Sequence, residues 1–149
     1  MSIDDKTIET AKTYANRSEE DLLMLLARQE EAIKSDPDLA QDPALDPDYA
    51  SAGMPAEALR SLGKKIMRRW NQALFDLVCK KDDDEDRKKL MDAFGLGETA
   101  LIGAVASVLL TLTSPAIAAA AAAVIVKHFI LPAGGIVCDA WEEAIEMEG

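Results

Sequence analysis

The stretch LIGAVASVLLTLTSPAIAAAAAAVIV, residues 101–126, decides the fold of this protein. It belongs to a run of 28 residues, Thr99 to Val126, that has no charged side chain. Ser114-Pro115 divides this run, because serine caps helix N-termini and proline suits the first helical turn. Each arm is shorter than the about 20 apolar residues that a membrane-spanning helix needs. The run therefore predicts a helical hairpin, over about 98–131.

Two features of the hairpin favour burial among other helices over a membrane span. Gly103, Ser107 and Thr111 recur every four residues, and such small faces allow two helix axes to approach closely. The six consecutive alanines at 118–123 form a slim, strongly helical rod that neighbouring helices can surround. We therefore expect the hairpin to form the core of the protein.

A combined interpretation stays open, in which the hairpin is buried at first and enters lipid after a trigger. In composition and layout, these approximately 35 residues resemble the hydrophobic hairpin, rich in alanine and glycine, at the centre of pore-forming colicin domains. The resemblance implies a latent membrane-inserting or pore-forming effector, cytoplasmic first and membrane-bound after activation, for which cleavage in the linker is one conceivable trigger. The candidate membrane-inserting residues are Leu101, Val105, Val108, Leu112, Ile117, Val124 and Ile125.

The rest of the chain also predicts helices, and no segment alternates with the period of a strand. Three Asp-Pro pairs lie in the acidic stretch 35–54, and proline disfavours helix at the residue before it. This stretch therefore predicts an extended, solvated linker. The predicted fold is a single all-α domain, residues 1–149, in which six or seven helices surround the apolar hairpin.

Composition excludes several classes of function. A net charge of −11 argues against nucleic-acid binding, which needs a positive surface. His128 is the only histidine, and no complete metal-binding, phosphate-binding or nucleophile motif is present, so we expect no catalysis, no cofactor and no metal. Cys79 and Cys138 are too few for a disulfide scaffold, which favours reduced thiols in a cytoplasmic protein.

The long helix that follows the linker carries an unusual charge. Between Glu57 and Lys81 there are seven lysines or arginines and two acids. On a helical wheel one face lies opposite the apolar stripe from Leu62 to Trp70, and basic and aromatic side chains on an open face are typical of interfaces. The candidate partner-binding residues on that face are Lys64, Arg68, Asn71 and Phe75.

These observations favour a non-enzymatic, small soluble interaction or regulatory protein that binds a protein partner through this face. The acidic linker is a possible competing ligand for the same cations, and a homo-oligomer is also compatible with the sequence. The alternative arrangement is that Phe75 packs against a second neighbour while the cations pair with the linker.

Overall fold

The structure is a computed structural model that describes residues 3–47, 55–80, 85–132 and 138–148. Within these residues all regular structure is helical, which confirms the predicted all-α bundle around a central hydrophobic hairpin. The seven α-helices are α1 (Ile3–Tyr14), α2 (Glu19–Ser35), α3 (Ala56–Phe75), α4 (Glu85–Leu96), α5 (Glu98–Leu109), α6 (Pro115–Ile125) and α7 (Cys138–Glu148). A 3-10 helix at Pro37–Gln41 and two π-helical turns, Asp76–Lys80 and Val126–Ile130, complete the described elements.

Helix α6 is the centre of the core. All eleven of its residues are buried, and the exposed fraction is 0% from Ala118 through Val126. It packs against α1, α2, α3 and α5. The alanines make this enclosure possible, because their short side chains let several helices approach one rod at close range. The alanine-rich arm of the charge-free stretch is therefore covered by other helices of the same chain.

Helix α5 forms the other arm of the hairpin and begins where a glycine permits an unusual backbone. Gly97, with φ of +117°, precedes its first turn, whereas Gly95 lies inside α4. A Cβ added to Gly103 would lie 3.2 Å from Cγ2 of Ile8, so the small face of α5 contacts α1. The arm ends at Leu109, and Leu112 lies in the turn that follows.

The acidic linker differs from its prediction. Pro37–Gln41 form the 3-10 helix. Residues 42–47 follow it as a strap that is fixed to α1 and α2, with Pro43 and Leu45 buried. Gln29 donates a 2.7 Å hydrogen bond to the carbonyl of Leu45, and Asp46 pairs with Arg28 at 3.1 Å. These contacts satisfy polar groups that an extended chain would leave to water. Residues 48–54 lie outside the described residues.

The strap also contacts the end of α1 through Tyr14. The hydroxyl of Tyr14 donates to the carbonyl oxygen of Pro43 over 3.4 Å. Burial of the ring raises the pKa of Tyr14 to about 12, with Asp46 and Asp42 acting in the same direction and Arg17 opposing them. The phenol is therefore neutral at physiological pH and serves as a packing and hydrogen-bonding group.

The prediction of reduced cysteines is wrong. Cys79, at the end of the long helix, and Cys138, the first residue of α7, form a disulfide across 59 positions of the sequence. Sequence spacing did not reveal the pair, because their proximity depends on α7 folding back onto α3. The argument for a cytoplasmic location rested on free thiols, and the disulfide removes that argument.

Candidate partner-binding surface

The structure divides the four candidate residues of α3 into two pairs. Lys64 and Arg68 are exposed, as predicted. Asn71 is 1% exposed and Phe75 is 3% exposed, so the expectation that both lie on an open face is wrong. All four side chains share one face of α3, but only its N-terminal half is open to solvent.

Helix α7 covers the other half of this face. The indole nitrogen of Trp141 donates a 2.7 Å hydrogen bond to Oδ1 of Asn71. The rings of Phe75 and Trp141 meet edge to face, with centroids 5.5 Å apart and planes at 82°. This geometry is the favoured one for aromatic pairs. Phe75 thus packs against a second neighbour, which was the alternative arrangement for this residue.

Four of the five basic residues of α3 fall into two groups according to their partners, and the fifth, Lys65, is exposed without an ion pair to another described residue. Arg60 pairs with Glu20, and Arg69 pairs with Glu30 at 3.4 Å, so both contribute to the contact with α2. Across the described ranges, no ion pair joins Lys64 or Arg68 to another side chain. Their charges are therefore available to a ligand.

The strap does not serve as the ligand of these cations where it is described. Its residue Asp46 binds Arg17 and Arg28, both at 3.1 Å, at the α1–α2 corner of the molecule. Partial burial alone would raise the pKa of Asp46, but the hydrogen bonds and positive charges of the two arginines hold it below its ordinary value. The strap is thus anchored by other basic residues.

A small crevice of about 10 Å³, the room of a single water molecule, adjoins Lys64 and Arg68. It lies where α2, α3, the second π-helical turn and α7 meet, and three of the four candidate residues border it. Its apolar side chains come from all four elements, so only the folded chain assembles them. The lining residues are Glu19, Leu23, Lys64, Met67, Arg68, Asn71, Phe129 and Ile145.

Sequence reasoning missed the contribution of three elements to this crevice. The apolar stripe of the last helix, with Trp141 and Ile145 on one side, was readable from their spacing of four. The element against which that stripe packs was not readable. Glu19 and Phe129 carried no signal of their own, because an acid in a first helical turn and an aromatic near a helix end are both common.

The seven candidate membrane-inserting residues lie in or beside the hairpin. Leu101, Val105, Val108, Ile117, Val124 and Ile125 are buried, and Leu112 is half-buried in the turn. In the part of the chain that is described, none of the helices has the length and apolar character to cross a bilayer.

His128, the only histidine, contacts an acidic side chain of α2. Nδ1 of His128 lies 3.1 Å from a carboxylate oxygen of Glu19, which ties the second π-helical turn to the start of α2. Among the described residues, no three histidine, cysteine, aspartate or glutamate side chains are grouped so that they could hold a metal ion. His128 therefore has a structural contact at the edge of the crevice.

Comparison with family models, with curated protein sequences and with solved structures finds no match to this chain.

Proposed function

We propose that this protein is a non-enzymatic interaction protein, which binds an acidic segment of a partner protein at Lys64 and Arg68. The observation that carries the proposal is the position of these two cations. Both are exposed and without an ion pair among the described residues, and both border the crevice with its apolar lining. Exposed cations without an ion pair suit a ligand that presents carboxylates, and the small crevice beside them adds an apolar contact.

Charge complementarity indicates an acidic partner. The chain as a whole carries −11, so a long-range field would repel acidic proteins. Lys64 and Arg68, one helical turn apart, create a local positive charge that orients an acidic ligand toward the crevice. The exposed cations Arg87 and Lys88 of α4 are not part of its lining. Such charges act chiefly on the rate and specificity of association, which predicts binding that weakens as salt is added.

The test uses three versions of the full chain as baits in an extract of the cells that produce it. The variant Lys64→Glu/Arg68→Glu reverses both charges. The matched control, Arg87→Glu/Lys88→Glu, makes the same reversal at two exposed positions of α4. Mass spectrometry then identifies the proteins that each bait retains.

We expect one acidic partner to be retained by the wild type and by the control but lost with the charge reversal on α3. The retained protein must also dissociate at raised salt. Equal recovery of the same proteins by all three baits would show that Lys64 and Arg68 do not form the binding site.

A second candidate function rests on a different observation, the complete enclosure of α6. Eleven consecutive buried residues without a charge are a segment that lipid could accept if the surrounding helices opened. Together with the π-helical turn, this arm has 16 residues, or about 24 Å of helix, against a hydrocarbon core of about 30 Å. Insertion would therefore require the arm to lengthen.

Dye release from anionic vesicles tests this second candidate. The intact protein is compared with protein cleaved in the linker, each at acidic and at neutral pH. Release by the cleaved form alone would support a latent membrane-active effector. If neither form releases dye at either pH, this candidate function is eliminated.

A further inference from the structure

Helix α7 occupies the C-terminal half of the face on which the candidate residues lie. It has eleven residues, of which five are acidic and none is basic. Trp141 is 1% exposed and Ile145 is 3% exposed, whereas Asp139, Glu142, Glu143 and Glu146 are exposed. α7 is thus an acidic amphipathic helix that inserts two bulky apolar side chains, one turn apart, beside two cations.

We propose that α7 is a built-in ligand, and that the natural partner presents an acidic amphipathic helix that displaces it. The inference rests on the proposed function, because the partner helix would use Lys64 and Arg68 as its cationic contacts. A bulky apolar pair at positions i and i+4 would replace Trp141 and Ile145 against Asn71 and the crevice. This is the helix-in-groove mode of recognition.

The contacts of α7 are few enough to be exchanged. It packs mainly on α3 and on the second π-helical turn, and the central helix α6 is enclosed by other elements. A helix of eleven residues is marginal by itself in water, so α7 depends on its anchors to remain folded. Loss of α7 would uncover Asn71 and Phe75, which would complete the four-residue face predicted from the sequence.

The disulfide between Cys79 and Cys138 controls this exchange. It fixes the first residue of α7 to the end of the long helix, which keeps α7 at a high effective concentration near its site. Both cysteines are half-buried, so a small dithiol can reach the bond. A dithiol reductant supplies two electrons and two protons: the Sγ–Sγ bond breaks, both cysteines become thiols, and the dithiol becomes a disulfide.

The probe for this proposal is a fluorescent peptide of residues 138–148 with serine in place of the cysteine. Its binding to the full chain is measured by fluorescence anisotropy, with the chain oxidised or reduced. We expect the peptide to bind the reduced chain about tenfold or more tightly than the oxidised chain. The variant Cys79→Ser/Cys138→Ser should bind like the reduced chain, whether or not reductant is present.

Two controls assign the binding to the proposed face. A peptide that carries alanine in place of both Trp141 and Ile145 should not bind. Introducing Asn71→Leu into the double-serine chain should weaken binding of the intact peptide, because the indole N–H of Trp141 then has no acceptor, while Arg87→Glu/Lys88→Glu should leave binding unchanged. Peptide binding that is equal in all chains, or absent from all, would overturn the proposal.

Hydrogen exchange on the wild-type chain provides a measurement that needs no variant. Reduction should speed amide exchange in α7 more than in α6, because α7 opens locally whereas α6 exchanges only when the whole fold opens. Equal exchange in α7 before and after reduction would overturn the control by the disulfide.

The two proposals fail separately. A partner that depends on Lys64 and Arg68 but never competes with α7 would leave the proposed function standing and remove this inference. If the charge-reversed bait retains the same proteins as the wild type, the proposed function is removed, regardless of how the peptide binds.

Discussion

Replacing Gly63 by alanine tests the close approach of α3 to the backbone of α2. A Cβ at Gly63 would lie 2.0 Å from the carbonyl oxygen of Leu23, against the 3.4 Å at which ordinary contact begins, a shortfall of about 1.4 Å. The obstacle is the backbone of α2, which has no rotamer by which to move aside. The two helices must therefore separate along an interface that also holds the Arg60–Glu20 ion pair.

The magnitude follows from two opposing effects. Overpacking costs about 1–3 kcal/mol, and contact with backbone places this variant at the upper end of that range. Alanine recovers about 0.5–1 kcal/mol of helix propensity relative to glycine. We expect a net loss of about 2 kcal/mol in the free energy of unfolding, which lowers the Tm by about 4–8 °C for a chain of this size.

Urea unfolding and calorimetry measure this loss against two matched variants. Gly95→Ala has nothing within 4 Å of the new Cβ and should leave stability unchanged or raise it by up to about 1 kcal/mol. In Gly103→Ala the new Cβ meets only movable side chains, the nearer being that of Ile8 at 3.2 Å. The stability of this variant should fall between those of the other two. If Gly63→Ala is as stable as Gly95→Ala, the close packing of α2 on α3 is incorrect.

Three further predictions concern the strap and α7. Partial burial opposes ionisation of Asp46, but its two arginine partners hold its pKa below 3.8. The ionised carboxylate therefore stabilises the fold above that pH, and this stabilisation is lost as the pH falls through the pKa of the folded state. Asp46→Asn should therefore be less stable than the wild type at neutral pH in urea unfolding, and a gap that does not close in acid would contradict this. Asn71→Leu should lower the free energy of unfolding by about 1–3 kcal/mol, because it leaves the buried indole N–H of Trp141 without an acceptor. Unchanged stability in the same assay would disprove this role of Asn71. Cys79→Ser/Cys138→Ser opens a loop of about 59 residues and should lower the free energy of unfolding by about 4 kcal/mol. A variant with the same Tm as the oxidised wild type would contradict the presence of the disulfide.

Local chemistry was sufficient for the helices of this protein. Ser18 caps the start of α2, and its hydroxyl accepts a hydrogen bond from the backbone N–H of Asp21 at 3.1 Å. Ser114-Pro115 predicted the division of the hairpin, and Pro115 is the first residue of α6. These signals lie within one helical turn of the feature that they determine, so they act before any tertiary contact forms. The absence of charge over 28 residues likewise predicted the core.

The candidate surface depended on elements that are far apart in the sequence. The helical wheel placed Lys64 and Phe75 on one face of α3, but it could not show that α7 covers only half of that face. Asn71 read as a surface residue because it is polar, and its burial requires the indole of Trp141, which is 70 positions away.

Periodicity reveals which side of a helix is apolar, whereas burial belongs to a pair of elements. The disulfide and the anchored strap follow the same rule: Cys79 meets Cys138 across 59 positions, and Asp46 meets Arg17 across 29. Sequence alone therefore determined the helices and the buried hairpin, because their signals are local. The tertiary structure decided which side chains remain open to a partner, because that depends on which helix packs over which face.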